Sequence, residues 1–138
     1  MVQAAAEAVP DTFITGVTIL TSMSETDVQE VGFKSSALDS AVSLAKVAVA
    51  GGARAIVCSP LEILAVRAAI GVDPLIITPG VRPLEMVGGD DQQRTMTPED
   101  AISAGANLVV IGRPITQSWS QGAQAMRCLL YTSDAADE

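Results

Sequence analysis

Histidine is absent from the 138 residues, and cysteine occurs only twice, at positions 58 and 128. Without histidine there is no Ser-His-Asp relay and no imidazole to ligate zinc. Two distant thiols form neither a zinc pattern nor a disulfide framework, so both read as incidental thiols of a reducing cytoplasm. Aromatic residues make up 3% of the chain, too few for a small β-sandwich built around aromatic side chains. Lysine and arginine number eight against sixteen acids, for a net charge of −8. A nucleic-acid partner needs a basic face, which this scarcity excludes. No apolar run approaches the roughly 20 residues of a membrane-spanning helix. The opening MVQAAAEAVPD lacks the basic start of a signal peptide.

What the chain does have is small and aliphatic. It is 49% hydrophobic and 17% charged, and the apolar residues are mostly Ala, Val, Ile and Leu. That is enough for one domain with a real core. Four short β-branched runs stand out: residues 13–20 (FITGVTIL), 55–58 (AIVC), 75–78 (LIIT) and 108–111 (LVVI). They are continuous rather than alternating, as expected of parallel strands buried on both faces.

Helical patterns lie between the runs. Ser24 to Asp27 has the spacing of a capping box. Residues 36–50 show apolar residues at helical spacing and stop at Gly51-Gly52. Ser59-Pro60 and Thr97-Pro98 each read as an N-cap followed by proline at the first helical position, with Gly71 and Gly105 as the stops. Residues 2–8 offer a further helix. The order is (β–α) repeated four times, which implies α/β architecture with a parallel sheet and covering helices. Residues 121–138 begin like a helix and close in an acidic, small-residue tail, expected to fray.

In parallel α/β folds ligands bind beyond the carboxyl ends of the strands. The residues there are Thr21-Ser22-Met23, Ser59-Pro60, the stretch from Pro79 to Pro83, and Gly112-Arg113-Pro114. A long connection, residues 79–96, follows the third run, and such loops are often functional. Gly112 lets a ligand approach the backbone, and Arg113 offers a bidentate fork to phosphate. There is no acid–base constellation. Lys34 reads as a loop residue and Lys46 as a solvated helix residue.

These strand ends resemble a known family. VTILTSM (17–23), VCSP (57–60), ITPGVRP (77–83), DQQRTMTPEDAISAGA (91–106) and VIGRPITQS (110–118) are similar, in order, to the bacterial type of orotidine 5'-phosphate decarboxylase. The resemblance implies half of a (β/α)₈ TIM barrel, with four parallel strands equivalent to the fifth through eighth, over residues 1–120. It implies conversion of orotidine 5'-phosphate to UMP and CO₂ in pyrimidine biosynthesis, without cofactor or metal, in a cytoplasmic homodimer. It places Thr21 on the pyrimidine side, Arg82 and Gln92 on the phosphate-gripping loop, and Gly112 and Arg113 on the phosphate itself.

The departures also carry expectations. The family's Asp-x-Lys-x-x-Asp pattern is missing, and a lysine that protonates C6 is what the chemistry requires. The loop after Arg82 is about one residue longer than usual. The tail does not look like the family's last helix, and a whole barrel needs roughly 250 residues. A truncated gene product is therefore expected, inactive alone, with open strand edges that self-associate. Two other readings are a different phosphate-binding barrel, such as a pentulose-phosphate epimerase, and a non-catalytic half barrel that binds nucleotide phosphates.

Overall fold

A computed structural model describes residues 1–82 and 95–117. Ten elements run in the order α1 (Val2–Ala8), β1 (Thr15–Val17), α2 (Glu25–Glu30), α3 (Ala37–Ala50), β2 (Ala55–Val57), α4 (Ile63–Ile70), β3 (Leu75–Thr78), α5 (Pro98–Ser103), β4 (Leu108–Val109) and α6 (Arg113–Gln117). A 3-10 turn, Pro60–Glu62, leads into α4. The strands form one parallel sheet in the order β1-β2-β3-β4. A doubly wound sheet reverses its strand order at the ligand crevice; this one never reverses. Sequential parallel strands with a covering helix layer form an arc of a (β/α) barrel.

The capping signals explain where helices begin. The Ser24 hydroxyl accepts from the Asp27 N–H while the Asp27 carboxylate accepts from the Ser24 N–H at 2.7 Å. Ser36 caps α3 through the Asp39 N–H, and Thr97 caps α5 through the Asp100 N–H. The Glu25 carboxylate accepts from the Ala37 N–H at 2.9 Å, tying α2 to the start of α3. Gly71 and Gly105 end their helices at positive φ, as expected. At the Gly51-Gly52 stop only Gly52 is left-handed, with φ +94°.

The core lies between the sheet and the helices. α3 turns a stripe of small residues inward: Ala37, Ser40, Ala41, Ala45 and Ala48. Small residues allow close approach, and at Gly16 it is closest. A Cβ there would stand 2.7 Å from the Ala48 Cβ. Ile56, Ile63, Val66 and Ile76 are fully buried in the same cluster.

Two expectations need correction. The first run supplies only three paired residues, the second three and the fourth two. The strands are also not buried on both faces. Val17, Val57, Ile77 and Leu108 are register partners on one face of the sheet. Val17 is 58% exposed and Leu108 53%. Four strands do not close on themselves, so among the described residues the face opposite the helices is open at both edges. The expected fraying of residues 121–138 and most of the long loop lie outside the described residues.

Candidate phosphate-binding rim

The carboxyl ends of the four strands form a single rim. Beyond β1, the chain turns at Leu20–Thr21, with the Met23 N–H donating to the Leu20 carbonyl at 3.0 Å. Thr21 is buried there. Beyond β2, Ser59 caps the 3-10 turn while the wholly buried Glu62 carboxylate accepts from the Ser59 N–H at 2.9 Å. Beyond β3, Gly80 takes φ +79°, a left-handed value that glycine adopts without strain. The chain then bridges from Val81 to Met96, and the Arg82 N–H donates to the Met96 carbonyl at 3.0 Å.

Arg82 is 5% exposed, and its Nη1 donates to the Val81 carbonyl at 2.9 Å. A guanidinium so buried is held by its surroundings rather than swung by solvent. Beyond β4, Gly112 precedes α6, and its carbonyl accepts from the Ile115 and Thr116 N–H groups. Gly112 and Arg113 are exposed, and no atom of the described residues lies within 4 Å of where a Gly112 Cβ would stand. An anion can reach this backbone, with a guanidinium beside it.

Of the five residues singled out in the sequence, Thr21, Arg82, Gly112 and Arg113 stand on this rim, after β1, β3 and β4. Gln92 lies outside the described residues. Two threonines went unremarked in the sequence. The Thr18 hydroxyl donates to the Val57 carbonyl at 2.9 Å and the Thr78 hydroxyl to the Cys58 carbonyl at 2.8 Å, so both grip the end of β2. Glu62 was also missed, although its signal was legible as Ser59 followed three residues later by a glutamate. Lys34 and Lys46 are both exposed. Among the described residues no group of three His, Cys, Asp or Glu side chains could hold a metal ion, and no helix is long and apolar enough to cross a membrane.

The opposite end of the sheet is a different kind of place. Arg67, near the end of α4, donates through Nη1 to the Gly71 and Pro74 carbonyls at 2.9 and 2.8 Å. Through Nη2 it donates to the Gly105 carbonyl at 3.1 Å and Asn107 Oδ1 at 2.7 Å. The Arg54 guanidinium stacks 3.8 Å above the Phe13 ring. These contacts join loops rather than open onto a ligand, in keeping with the stabilising role of that end in barrels.

The profile of the orotidine 5'-phosphate decarboxylase / HUMPS family matches residues 1–128. An orotidine 5'-phosphate decarboxylase of Thermobifida fusca is 53% identical over 125 residues, covering 91% of this chain and 53% of that protein. One from Opitutus terrae is 49% identical over 106 residues, covering 77% of this chain and 46% of its own length. The crystal structure of orotidine 5'-phosphate decarboxylase from Lactobacillus acidophilus superposes with a TM-score of 0.74 at 31% identity. It covers 96% of this chain and 58% of that one. The chain thus spans about half the length of the curated relatives it matches. An arc of four parallel strands, a rim set with arginines and a match that runs through every described element agree: the chain belongs to the orotidine 5'-phosphate decarboxylase / HUMPS family.

Proposed function

We propose that this chain is the phosphate-gripping half of an orotidine 5'-phosphate decarboxylase. The observation that carries the reading is the placement of buried Arg82 and exposed Gly112-Arg113 on one sheet rim. In this reading the Gly112 N–H and the Arg113 guanidinium take the 5'-phosphate. Arg82 and Gln92 grip it from the loop after β3, and Thr21 faces the pyrimidine. The whole enzyme releases CO₂ from orotidine 5'-phosphate and leaves UMP, without cofactor or metal, as a cytoplasmic homodimer. The reaction needs a proton delivered to C6 as CO₂ departs. Lys34 and Lys46 lack neighbouring acids in the sequence, so this chain holds ligand without turning it over.

Titration of the chain with inorganic phosphate and with UMP tests the reading. Arg113→Ala removes a charge-assisted donor and is expected to weaken binding about tenfold to a hundredfold. Absence of binding by the unaltered chain refutes the phosphate site. Release of CO₂ from orotidine 5'-phosphate by the chain alone refutes the claim of inactivity.

A second reading is self-association, favoured by the exposure of Val17 and Leu108 on the two edge strands. A twofold axis along the barrel direction sets β4 of one copy beside β1 of the other and keeps all eight strands parallel. Light scattering is expected to show dimers or larger species, lost on replacing Val17 and Leu108 by lysine. A monodisperse monomer sinks this reading.

A further inference from the structure

β2 and β3 pair in parallel as far as Val57 and Ile77. The ladder then adds one step, in which the Cys58 N–H donates to the Ile77 carbonyl at 3.2 Å. The next rung of a parallel ladder would run from the N–H of residue 79 to the Cys58 carbonyl. Residue 79 is proline and has no N–H to give. The Thr78 hydroxyl donates to that carbonyl instead, at 2.8 Å, from a side chain that is wholly buried. On its other side, the Thr78 carbonyl accepts from the Val110 N–H at 2.9 Å. Val110 lies two residues before Gly112, and Thr78 four residues before Arg82.

We infer that Thr78 is a positioning residue of the rim: its hydroxyl replaces the ladder donor that Pro79 lacks, and so fixes the courses of the segments carrying Arg82 and Gly112-Arg113. The geometry stands alone; its meaning for ligand binding rests on the phosphate-site reading above. The proline itself is useful at this point. It stops the strand, so that Gly80 can turn the chain and the Arg82 N–H can reach Met96. A side-chain hydroxyl keeps the rung without keeping the strand.

Three variants of the full chain separate this role from simple core filling. Thr78→Val keeps the shape and removes the donor. Thr78→Ser keeps the donor and removes a methyl group. Thr78→Val combined with Pro79→Ala restores a backbone N–H at the vacant rung. Hydrogen exchange of the Arg82 and Val110 amides is expected to quicken about tenfold in Thr78→Val. Inorganic phosphate is expected to bind about tenfold more weakly to it. Both should return toward the original values in Thr78→Ser and in the double variant. If Thr78→Val does not fold, recovery of the fold in the double variant supports the inference and failure to recover it overturns it. Unchanged exchange at Arg82 in a folded Thr78→Val also overturns it, whatever the phosphate result. If the original chain binds no phosphate while the exchange pattern holds, the phosphate-site reading falls and the positioning role remains.

Discussion

Replacing Asn107 by leucine is expected to destabilise the sheet at the end away from the rim. Asn107 stands just before β4 and completes the ladder twice over. Its N–H donates to the Ile76 carbonyl at 2.8 Å, and its Oδ1 accepts from the Ile76 N–H at 2.8 Å. The same oxygen accepts from Arg67 Nη2 at 2.7 Å. Ile76 is wholly buried, so leucine leaves its N–H without this acceptor and shields it from water. An unmet backbone donor costs about 1–3 kcal/mol. Arg67 retains its four backbone carbonyls, of Gly71, Val72, Pro74 and Gly105, and lies in a partly exposed network, so its lost contact adds little. A total of about 1–3 kcal/mol follows, which for a chain of this size lowers Tm by roughly 3–15 °C. Asn107→Asp keeps the acceptor and sets a carboxylate against Arg67, so it should melt close to the original chain. Thermal unfolding followed by circular dichroism, with hydrogen exchange at Ile76, decides the matter. A leucine variant that melts like the original chain, or an aspartate variant as damaged as the leucine one, refutes the reasoning.

Two further outcomes follow from local geometry. Gly16→Ala puts a methyl group 2.7 Å from the Ala48 Cβ and should cost about 1–3 kcal/mol by overpacking; Ala48→Gly in the same chain should restore most of the lost Tm. The Ser24 backbone and hydroxyl groups bonded to the Asp27 carboxylate hold its pKa below the usual aspartate range. A lowered folded value means that the contribution to stability is present above the unfolded aspartate pKa and fades as pH falls through the lowered one. The protection of the α2 amides, taken relative to their intrinsic exchange rates at each pH, should therefore fall on acidification through that window, and Asp27→Asn should flatten the fall.

The sequence made the order of elements readable because each signal was local. Ser24, Ser59 and Thr97 each cap a helical turn where they were expected to, since a cap needs only its own next three residues; Ser36, read as the first residue of its helix, proves to be the cap of α3. The β-branched runs marked all four strands for the same reason. Strand length was less readable. In the first run only Thr15–Val17 pairs, because pairing depends on a neighbour far along the chain. Burial on both faces was expected from continuous Val and Ile. It failed at β1 and β4 because it presumed a closed cylinder, and closure is a property of eight strands rather than of one. On the rim, the position of Arg113 was legible from its strand-end glycine. The resemblance, and not the spacing, led to Thr21. The roles of Thr78 and Asn107 were hidden, because each bonds a residue 20 or 31 positions away.

The uncovered face of the sheet also governs how strongly an anion can be held. A guanidinium and a phosphate 4 Å apart attract by about 1 kcal/mol in bulk water and by about 4 kcal/mol at the effective dielectric of a protein surface. With Val17 and Leu108 open to solvent, water and counterions have access to the ground beneath the rim. The exposed Arg113 acts nearer the aqueous limit, and about 0.15 M salt screens it beyond roughly 8 Å. The buried Arg82 keeps more of its field. Under the proposed phosphate site, affinity should therefore fall with ionic strength mainly through Arg113, and any occupant that covers the open face would strengthen the grip without adding a single contact to the ligand.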